Sequence, residues 1–234
     1  MAAQSLFNSG KTIRALVKRG FQPFLLKGLD GEFSKRVFDV VFSLAILILL
    51  SPIYLLLGLL IALTSPGPIF YIQERIGKNR KRFSCIKFRT MVVNADELLL
   101  EMMAHSPRLR QEFENDFKLK QDPRITGIGR FLRMTSLDEF PQFWNVLKGD
   151  MSVVGPRPLV EEELPKYDKY IDKVLTIRPG ITGLWQVSGR NDIPYPRRVQ
   201  MDVYYVNFRG FWPDLWIVIK TIGIVVFPKN NGAY

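Results

Sequence analysis

The stretch VVFSLAILILLSPIYLLLGLLIAL (residues 40–63) decides the architecture, and the charges around it decide its orientation. No charged residue occurs from Val40 to Gln73. About 20 apolar residues match the hydrocarbon core of a bilayer, so the run is long enough to enter one. Globular proteins do not usually bury a helix that is apolar all round. A cleaved signal peptide is a poor alternative, because the run starts late, lacks a small-residue cleavage pattern and is too long. The segment belongs in a membrane.

Whether it crosses is a separate question. Lys35 and Arg36 precede the run, and Arg75, Lys78, Arg80, Lys81 and Arg82 follow it. Cytoplasmic flanks gather Lys and Arg, so a crossing segment would place one cluster on the wrong side. Pro52 falls mid-run, where it removes a helix hydrogen bond and bends the chain. Ser51 beside it can bond the backbone groups released by the break. The arm from Val40 to Ser51 has 12 residues and rises about 18 Å as a helix, short of the roughly 30 Å core. A helix–break–helix that enters and returns on one face satisfies all of these facts. A single-pass anchor with Pro52 as a tolerated kink stays open on these grounds.

The whole chain has 234 residues and a formal net charge of +11, from 33 Lys plus Arg against 22 Asp plus Glu. The excess is confined to two flanks: residues 1–38 carry +5, Asp39 carries −1, residues 74–90 carry +6, and residues 91–234 only +1. Bases that bracket an apolar segment, rather than forming a groove-sized patch, argue against a nucleic-acid partner. A single Cys (Cys85) and a single His (His105) exclude a disulfide framework, a Cys-rich zinc site and two-His metal motifs. Any chemistry must come from carboxylates, Arg, Lys, hydroxyls and an oxygen-bound metal.

Along the rest of the chain, residues 1–34 are basic and amphipathic and read equally as an interfacial helix on anionic lipid or as a loose tail. IFYIQERIG (69–77) and RFSCIKFRTM (82–91) read as two strands around a basic turn. Residues 94–117 read as helical with a break near Ser106-Pro107, with His105 on a polar surface. The apolar DLWIVIKTIGIVVF (214–227) has only 14 residues and includes Lys220, so it is expected in the core or interface and not as a span.

The densest motif is SLDEFPQFWNVLKGDMSVVGPRP (136–158). Ser136 and Glu139 have capping-box spacing and Pro141 suits a first turn, so a helix start is expected at Ser136. Leu137, Phe140, Trp144 and Leu147 then recur on one apolar face. Acids at a helix N-terminus need no further role. Three features point beyond that. Adjacent helix residues point about 100° apart, so Asp138 and Glu139 can serve different partners. Arg130 and Arg133 precede them, and Arg157 follows between two prolines. Arginines suit bidentate phosphate binding, and carboxylates among arginines suit a diphosphate with a hard cation such as Mg²⁺.

Taken together, the Ser51-Pro52 break, KFRTM (87–91), residues 136–158 and RPGITGLWQVSGR (178–190) resemble the bacterial sugar transferase family. These are the monotopic phosphoglycosyl transferases, or polyprenyl-phosphate hexose-1-phosphate transferases. The resemblance runs from about Glu32 to the C-terminus and is closest to the catalytic portion of undecaprenyl-phosphate galactose or glucose phosphotransferases, including the terminal NGAY (231–234). It implies an α+β monotopic membrane protein: a re-entrant helix over about 36–63, amphipathic interfacial helices and a small sheet or hairpin near 69–91. The chain then divides into a basic extension (1–31) and a catalytic domain (32–234).

The implied activity is transfer of a hexose 1-phosphate from a UDP-sugar to polyprenyl phosphate with release of UMP, the first membrane step of surface glycan synthesis. It would occur on the cytoplasmic face of the bacterial inner membrane. Membrane lipids are implied partners, and a homodimer is plausible from larger relatives. Asp138 matches the family nucleophile that forms a covalent phosphosugar intermediate, and Glu139 its Mg²⁺-binding or positioning partner. Arg133 and Arg157 are expected to contact phosphate; Lys87 and Arg89 follow, one reaching the site and the other facing headgroups. Arg178, Gln186 and Arg190 are assigned to the nucleotide, with Trp185 able to stack on uracil or to be buried. Asp202 is a candidate second carboxylate near the metal or a surface acid. A non-catalytic membrane-surface adaptor is the alternative, against which the intact Asp138-Glu139 pair and Arg157 argue.

Overall fold

Pro52 cannot donate the backbone hydrogen bond that Ile48 would accept in a continuous helix. In the computed structural model, which describes residues 31–117, 119 and 121–227, the chain breaks there. Helix α1 (Glu32–Leu49) and helix α2 (Ser51–Thr64) meet at Leu50 with a 62° bend. Ser51 Oγ donates to the freed Ile48 carbonyl at 2.8 Å. Among the described residues no single helix is long and apolar enough to cross a membrane, whereas this bent pair together is. The basic extension, apart from Gly31, and the terminal NGAY lie outside the described residues.

The pair turns its apolar side outward. Val37, Val41, Leu44 and Ile48 form an exposed stripe on α1, continued on α2 by Ile53, Leu56, Leu59 and Leu63. The inward side of α1 is polar at its centre. Asp39 is buried and accepts from Ser152 Oγ (3.0 Å) and the Val153 N–H (2.9 Å). Arg36 donates to the Val146 and Leu147 carbonyls at 2.6 and 2.9 Å, satisfying the end of a helix described below.

Strands β1 (Phe70–Ile76) and β2 (Arg82–Phe88) form an antiparallel hairpin in register from Phe70↔Phe88 to Ile76↔Arg82. The two expected strands form, and in β2 Phe83, Cys85 and Phe88 are buried while Arg82 and Ser84 face out. Helices α3 (Ala95–His105) and α4 (Pro107–Asp116) are divided at Ser106, whose Oγ caps the second by accepting the Leu109 N–H. His105 is exposed.

The expected helix start at Ser136 is not what forms. Helix α5 (Gly127–Thr135) ends there, with Ser136 left-handed at φ 58°. A 3₁₀ turn (Leu137–Glu139) follows, and helix α6 (Gln142–Lys148) begins only after Pro141. Ser136 makes no side-chain cap. The left-handed residue and the proline reset the helical phase, so Trp144 is exposed while Gln142, Phe143, Asn145 and Val146 are buried. Asn145 is inside because it serves β2: it accepts from the Ile86 N–H (3.1 Å) and donates to the Ser84 carbonyl (2.7 Å).

A second two-stranded sheet is parallel, pairing β3 (Ser152–Val154) with β4 (Gly180–Thr182). It depends on two glycines: a Cβ on Gly180 would lie 2.1 Å from the Gly155 nitrogen, and one on Gly155 would lie 2.7 Å from the Gly180 nitrogen. A 3₁₀ segment (Glu161–Tyr170) and short helix α7 (Ile171–Val174) join the two strands. Helices α8 (Tyr195–Phe208) and α9 (Phe211–Val226) complete the α+β architecture. One core unites Val146 of α6, Val153 of β3, Tyr205 of α8 and Ile217 of α9, with Phe38 and Phe42 of α1 packed against it. The outward-facing pair is therefore rooted in the rest of the protein. Helix α9 is half in this core: Ile217 and Val218 are buried, while Ile219, Ile222 and Val226 are exposed.

Candidate active site

The irregular chain between α5 and α6 presents two adjacent carboxylates from one tight turn. Glu139 accepts from Lys87 Nζ of β2 at 2.7 Å, and Arg157 Nη1, from the loop after β3, lies 3.9 Å from the same oxygen. Asp138 is half-buried and faces Arg133 and Lys87 electrostatically. Its burial, reinforced by the neighbouring Glu139 charge, raises its pKa to about 6 against the pull of Lys87 and Arg133. The dyad therefore holds one well-compensated carboxylate and one that ionises with difficulty.

Four side chains surround this turn, and two of them, Arg190 and Tyr54, hydrogen-bond to its flanks. Arg133 is aimed by Thr90, which accepts from Nε at 3.0 Å. Arg190 reaches back to donate to Ser136 Oγ at 2.9 Å. Tyr54 of α2 donates to the Phe140 carbonyl at 2.6 Å, linking the bent helix pair directly to the dyad segment. Gln186 donates to the Ile181 carbonyl at 3.1 Å, while its buried Oε1 has no partner. Thr90 and Tyr54 are not singled out by the sequence, and Ser136 reads there only as a helix cap. Their role depends on tertiary proximity, and single hydroxyls in ordinary contexts give no signal of it.

These groups line a cavity of about 670 Å³. Asp138, Glu139, Lys87, Arg133, Arg157, Gln186 and Arg190 contribute its polar part. Apolar walls come from Phe42 and Ile46 of α1, from Leu50 at the break, and from Val218, Ile222 and Val225 of α9. Trp185 is buried in the wall. A site that joins cations, carboxylates and an apolar trough suits a substrate with an anionic head and a hydrocarbon body.

Other sequence candidates are placed differently. Arg89 borders the cavity, but its guanidinium is buried and donates to the Ser65 and Pro66 carbonyls at the end of α2, bracing the return of the helix pair. Arg178 donates to the Gly149 carbonyl at 2.9 Å and does not line the cavity. Arg130 is exposed. Asp202 is not brought to the dyad. It is fully buried on α8, accepts from the Tyr167 hydroxyl at 2.7 Å, and its pKa is raised by burial to about 7. It is neither a surface acid nor a neighbour of the two carboxylates, because α8 packs that face into the core around Tyr167.

Among the described residues no three His, Cys, Asp or Glu side chains group as a metal site. The donor chemistry of Asp138 and Glu139 nevertheless fits Mg²⁺, which takes one or two protein carboxylates and completes its shell with substrate phosphates and water.

The chain matches the family model described as bacterial sugar transferase over residues 31–228. It is 51% identical to the undecaprenyl-phosphate galactose phosphotransferase of Salmonella typhimurium over 205 residues, covering 88% of this chain and 42% of that protein. It is 47% identical to the exopolysaccharide production protein ExoY of Sinorhizobium fredii, covering 86% of this chain and 89% of that one. The UDP-glucose:undecaprenyl-phosphate glucose-1-phosphate transferase of Klebsiella pneumoniae is 38% identical, with coverage of 89% and 43%. The chain thus spans less than half the length of several relatives it matches, including the Salmonella protein. With the match running from the start of α1 to the end of α9, the chain belongs to the bacterial sugar transferase family.

Proposed function

We propose that this chain transfers a sugar 1-phosphate from a UDP-sugar to a polyprenyl phosphate by way of a covalent aspartyl-phosphosugar. An Asp138 carboxylate oxygen attacks the phosphorus that carries the sugar. The bond from that phosphorus to the bridging oxygen breaks, and the electron pair leaves with UMP. A phosphate oxygen of the polyprenyl phosphate then attacks the same phosphorus, the bond to Asp138 breaks, and the carboxylate is restored. Splitting the transfer lets a soluble donor and a lipid acceptor use one pocket in turn.

The observation that carries this reading is the asymmetry of the dyad. Glu139 is neutralised by Lys87 at 2.7 Å with Arg157 close by, whereas Asp138, pushed up to about 6, stands beside it in the cavity. A carboxylate approaching a diphosphate meets strong repulsion, and positioned cations reduce it. Arg133, Arg157 and Lys87 supply that compensation from three separate elements. Mg²⁺ held by the dyad carboxylates would add neutralisation of the diphosphate and of the departing UMP.

The outward apolar stripes of α1 and α2 support insertion of the bent pair into one leaflet of the bacterial inner membrane from the cytoplasmic face. The trough between α1 and α9 offers the acceptor a route from lipid to the dyad. Intact-protein mass spectrometry after incubation with donor alone tests the central step. The wild-type chain should gain the mass of one sugar phosphate and release one equivalent of UMP, and Asp138→Asn should do neither. An adduct persisting on Asp138→Asn would remove the nucleophile assignment; a wild-type chain inert toward every UDP-sugar would favour an adaptor.

A further inference from the structure

A second chamber of about 340 Å³ lies beyond Arg157. Its walls include Arg75, Arg157, Tyr167, Trp185, Tyr195 and Arg198. It shares Gln73, Arg75, Phe113, Phe117, Arg157 and Trp185 with the dyad cavity, so the two spaces adjoin along one wall, yet Asp138, Glu139 and Lys87 do not line it. The volume falls within the roughly 300–1,000 Å³ of small-molecule sites. We infer that this chamber holds the pyrimidine nucleoside of the donor, with Arg157 at the doorway between nucleoside and reacting phosphorus; the inference rests on the transfer reading above.

Three observations carry it. The first is shape. The Arg198 guanidinium lies 5.2 Å from the Trp185 ring centroid and 5.6 Å from that of Tyr195. Its Nε donates to the Ile193 carbonyl at 2.7 Å, so the flat groups are fixed before any ligand arrives. A rigid wall of planar groups is what a nucleobase stacks on. The second is an unmet donor. Trp185 is buried, and its Nε1 has no hydrogen-bond partner. A buried donor left unmade is destabilising, and a carbonyl oxygen of a pyrimidine dione would satisfy it once binding uncovers the nitrogen. The third is direction. In phosphoryl displacement the attacking and leaving oxygens lie roughly in line on opposite sides of phosphorus. With Asp138 attacking from the main cavity, the nucleotide departs on the other side, where Arg157 faces both spaces and can meet the charge of the leaving phosphate.

The test uses the detergent-purified full chain with UMP as probe. UMP binding is titrated on Asp138→Asn, which separates binding from turnover, and again with Tyr195→Leu added. We expect the second substitution to weaken UMP at least tenfold. In the otherwise wild-type chain, Tyr195→Leu should raise the donor KM similarly while leaving the polyprenyl phosphate KM within twofold. A folded Tyr195→Leu protein, judged by its melting temperature, that binds UMP within twofold of its parent would overturn the chamber. A photoreactive 5-azido-UMP gives an answer independent of any variant. Attachment to peptides containing Trp185 or Tyr195 supports the chamber, and attachment confined to other peptides refutes it. If the transfer reading alone fails, the phosphosugar adduct is absent while UMP binding and this crosslink remain.

Discussion

Lys87 Nζ and Glu139 Oε1, 52 positions apart in sequence, meet at 2.7 Å with both side chains largely shielded from water. The pair ties the β1–β2 hairpin to the dyad turn. It also sets the charge beside Asp138, since Lys87 is the foremost group that lowers the pKa of Asp138. Replacing Lys87 with Met should therefore act in two ways. Glu139 loses its near partner, and a charge-assisted bond of this kind contributes roughly 1.5–3 kcal/mol. Asp138 is pushed further up. UMP release at pH 7 should fall at least about tenfold, the size of change that about 1.4 kcal/mol produces, and the rising limb of the pH profile should move to higher pH. An unchanged profile would mean that the pair is structural only.

The pH dependence of the wild-type chain follows from the same turn. In the proposed transfer Asp138 attacks as the carboxylate, and its pKa is raised from 3.8 to about 6. Donor kcat/KM should accordingly climb as pH rises through about 6, reporting the coupled dyad rather than one isolated group. Stability runs the other way. Because the folded value is raised, the favourable contribution is full below the unfolded value and is lost as pH rises through the folded one. Asp138→Asn should match the wild type in melting temperature near pH 4 and exceed it near pH 7.5. A melting temperature for the variant that stays below wild type across this range would contradict the assigned environment.

Asp39 gives a prediction about folding rather than chemistry. Its carboxylate accepts from the Val153 N–H and from Ser152 Oγ inside the junction of α1 with β3. Asp39→Ala leaves the backbone donor buried and unmet, at a cost of about 2–4 kcal/mol. Asp39→Asn keeps an acceptor and should recover much of that. Thermal unfolding in detergent, followed by tryptophan fluorescence, should rank wild type above Asn and Asn above Ala. Equal loss in both variants would show that charge, not hydrogen bonding, holds the junction.

What could be read from sequence divides along physical lines. The hairpin was legible because two β-branched and aromatic runs flank a basic turn, a local signal, and the bend because proline acts on its own helix. The turn carrying the dyad was not. Its helical periodicity continues on paper through Leu137, Phe140, Trp144 and Leu147, but a left-handed Ser136 and Pro141 break the phase and turn Trp144 outward. The β3–β4 pair was equally hidden, because three residues per strand carry no period and the pairing rests on two glycines far apart in sequence. Among the candidates, Lys87, Arg133, Arg157, Gln186 and Arg190 gather with Asp138 and Glu139. Arg89 borders the same cavity with its guanidinium turned to the end of α2, and Arg178 and Asp202 go to loop and core, since the sign of a charge does not say which buried carbonyl or hydroxyl it will meet.

Topology offers the last test, because the two readings of the apolar run differ in where its ends lie. The 62° bend leaves arms of 18 and 14 residues, about 27 and 21 Å long at 1.5 Å per residue, each short of a core of roughly 30 Å. Arg89 donates to the Ser65 and Pro66 carbonyls at the end of α2, and Arg36 anchors the start of α1 to the end of α6. Both ends are thus tied to the same body. Cysteines placed singly at the exposed positions Phe33 and Asn79, in a Cys85→Ser background, should react with a membrane-impermeant maleimide from the same side of sealed vesicles. Protection at one position and labelling at the other in identical vesicles would show that the segment crosses. Pro52→Leu restores the helical donor for Ile48, so it should straighten the pair and, if the bend sets the topology, convert the first labelling pattern toward the second.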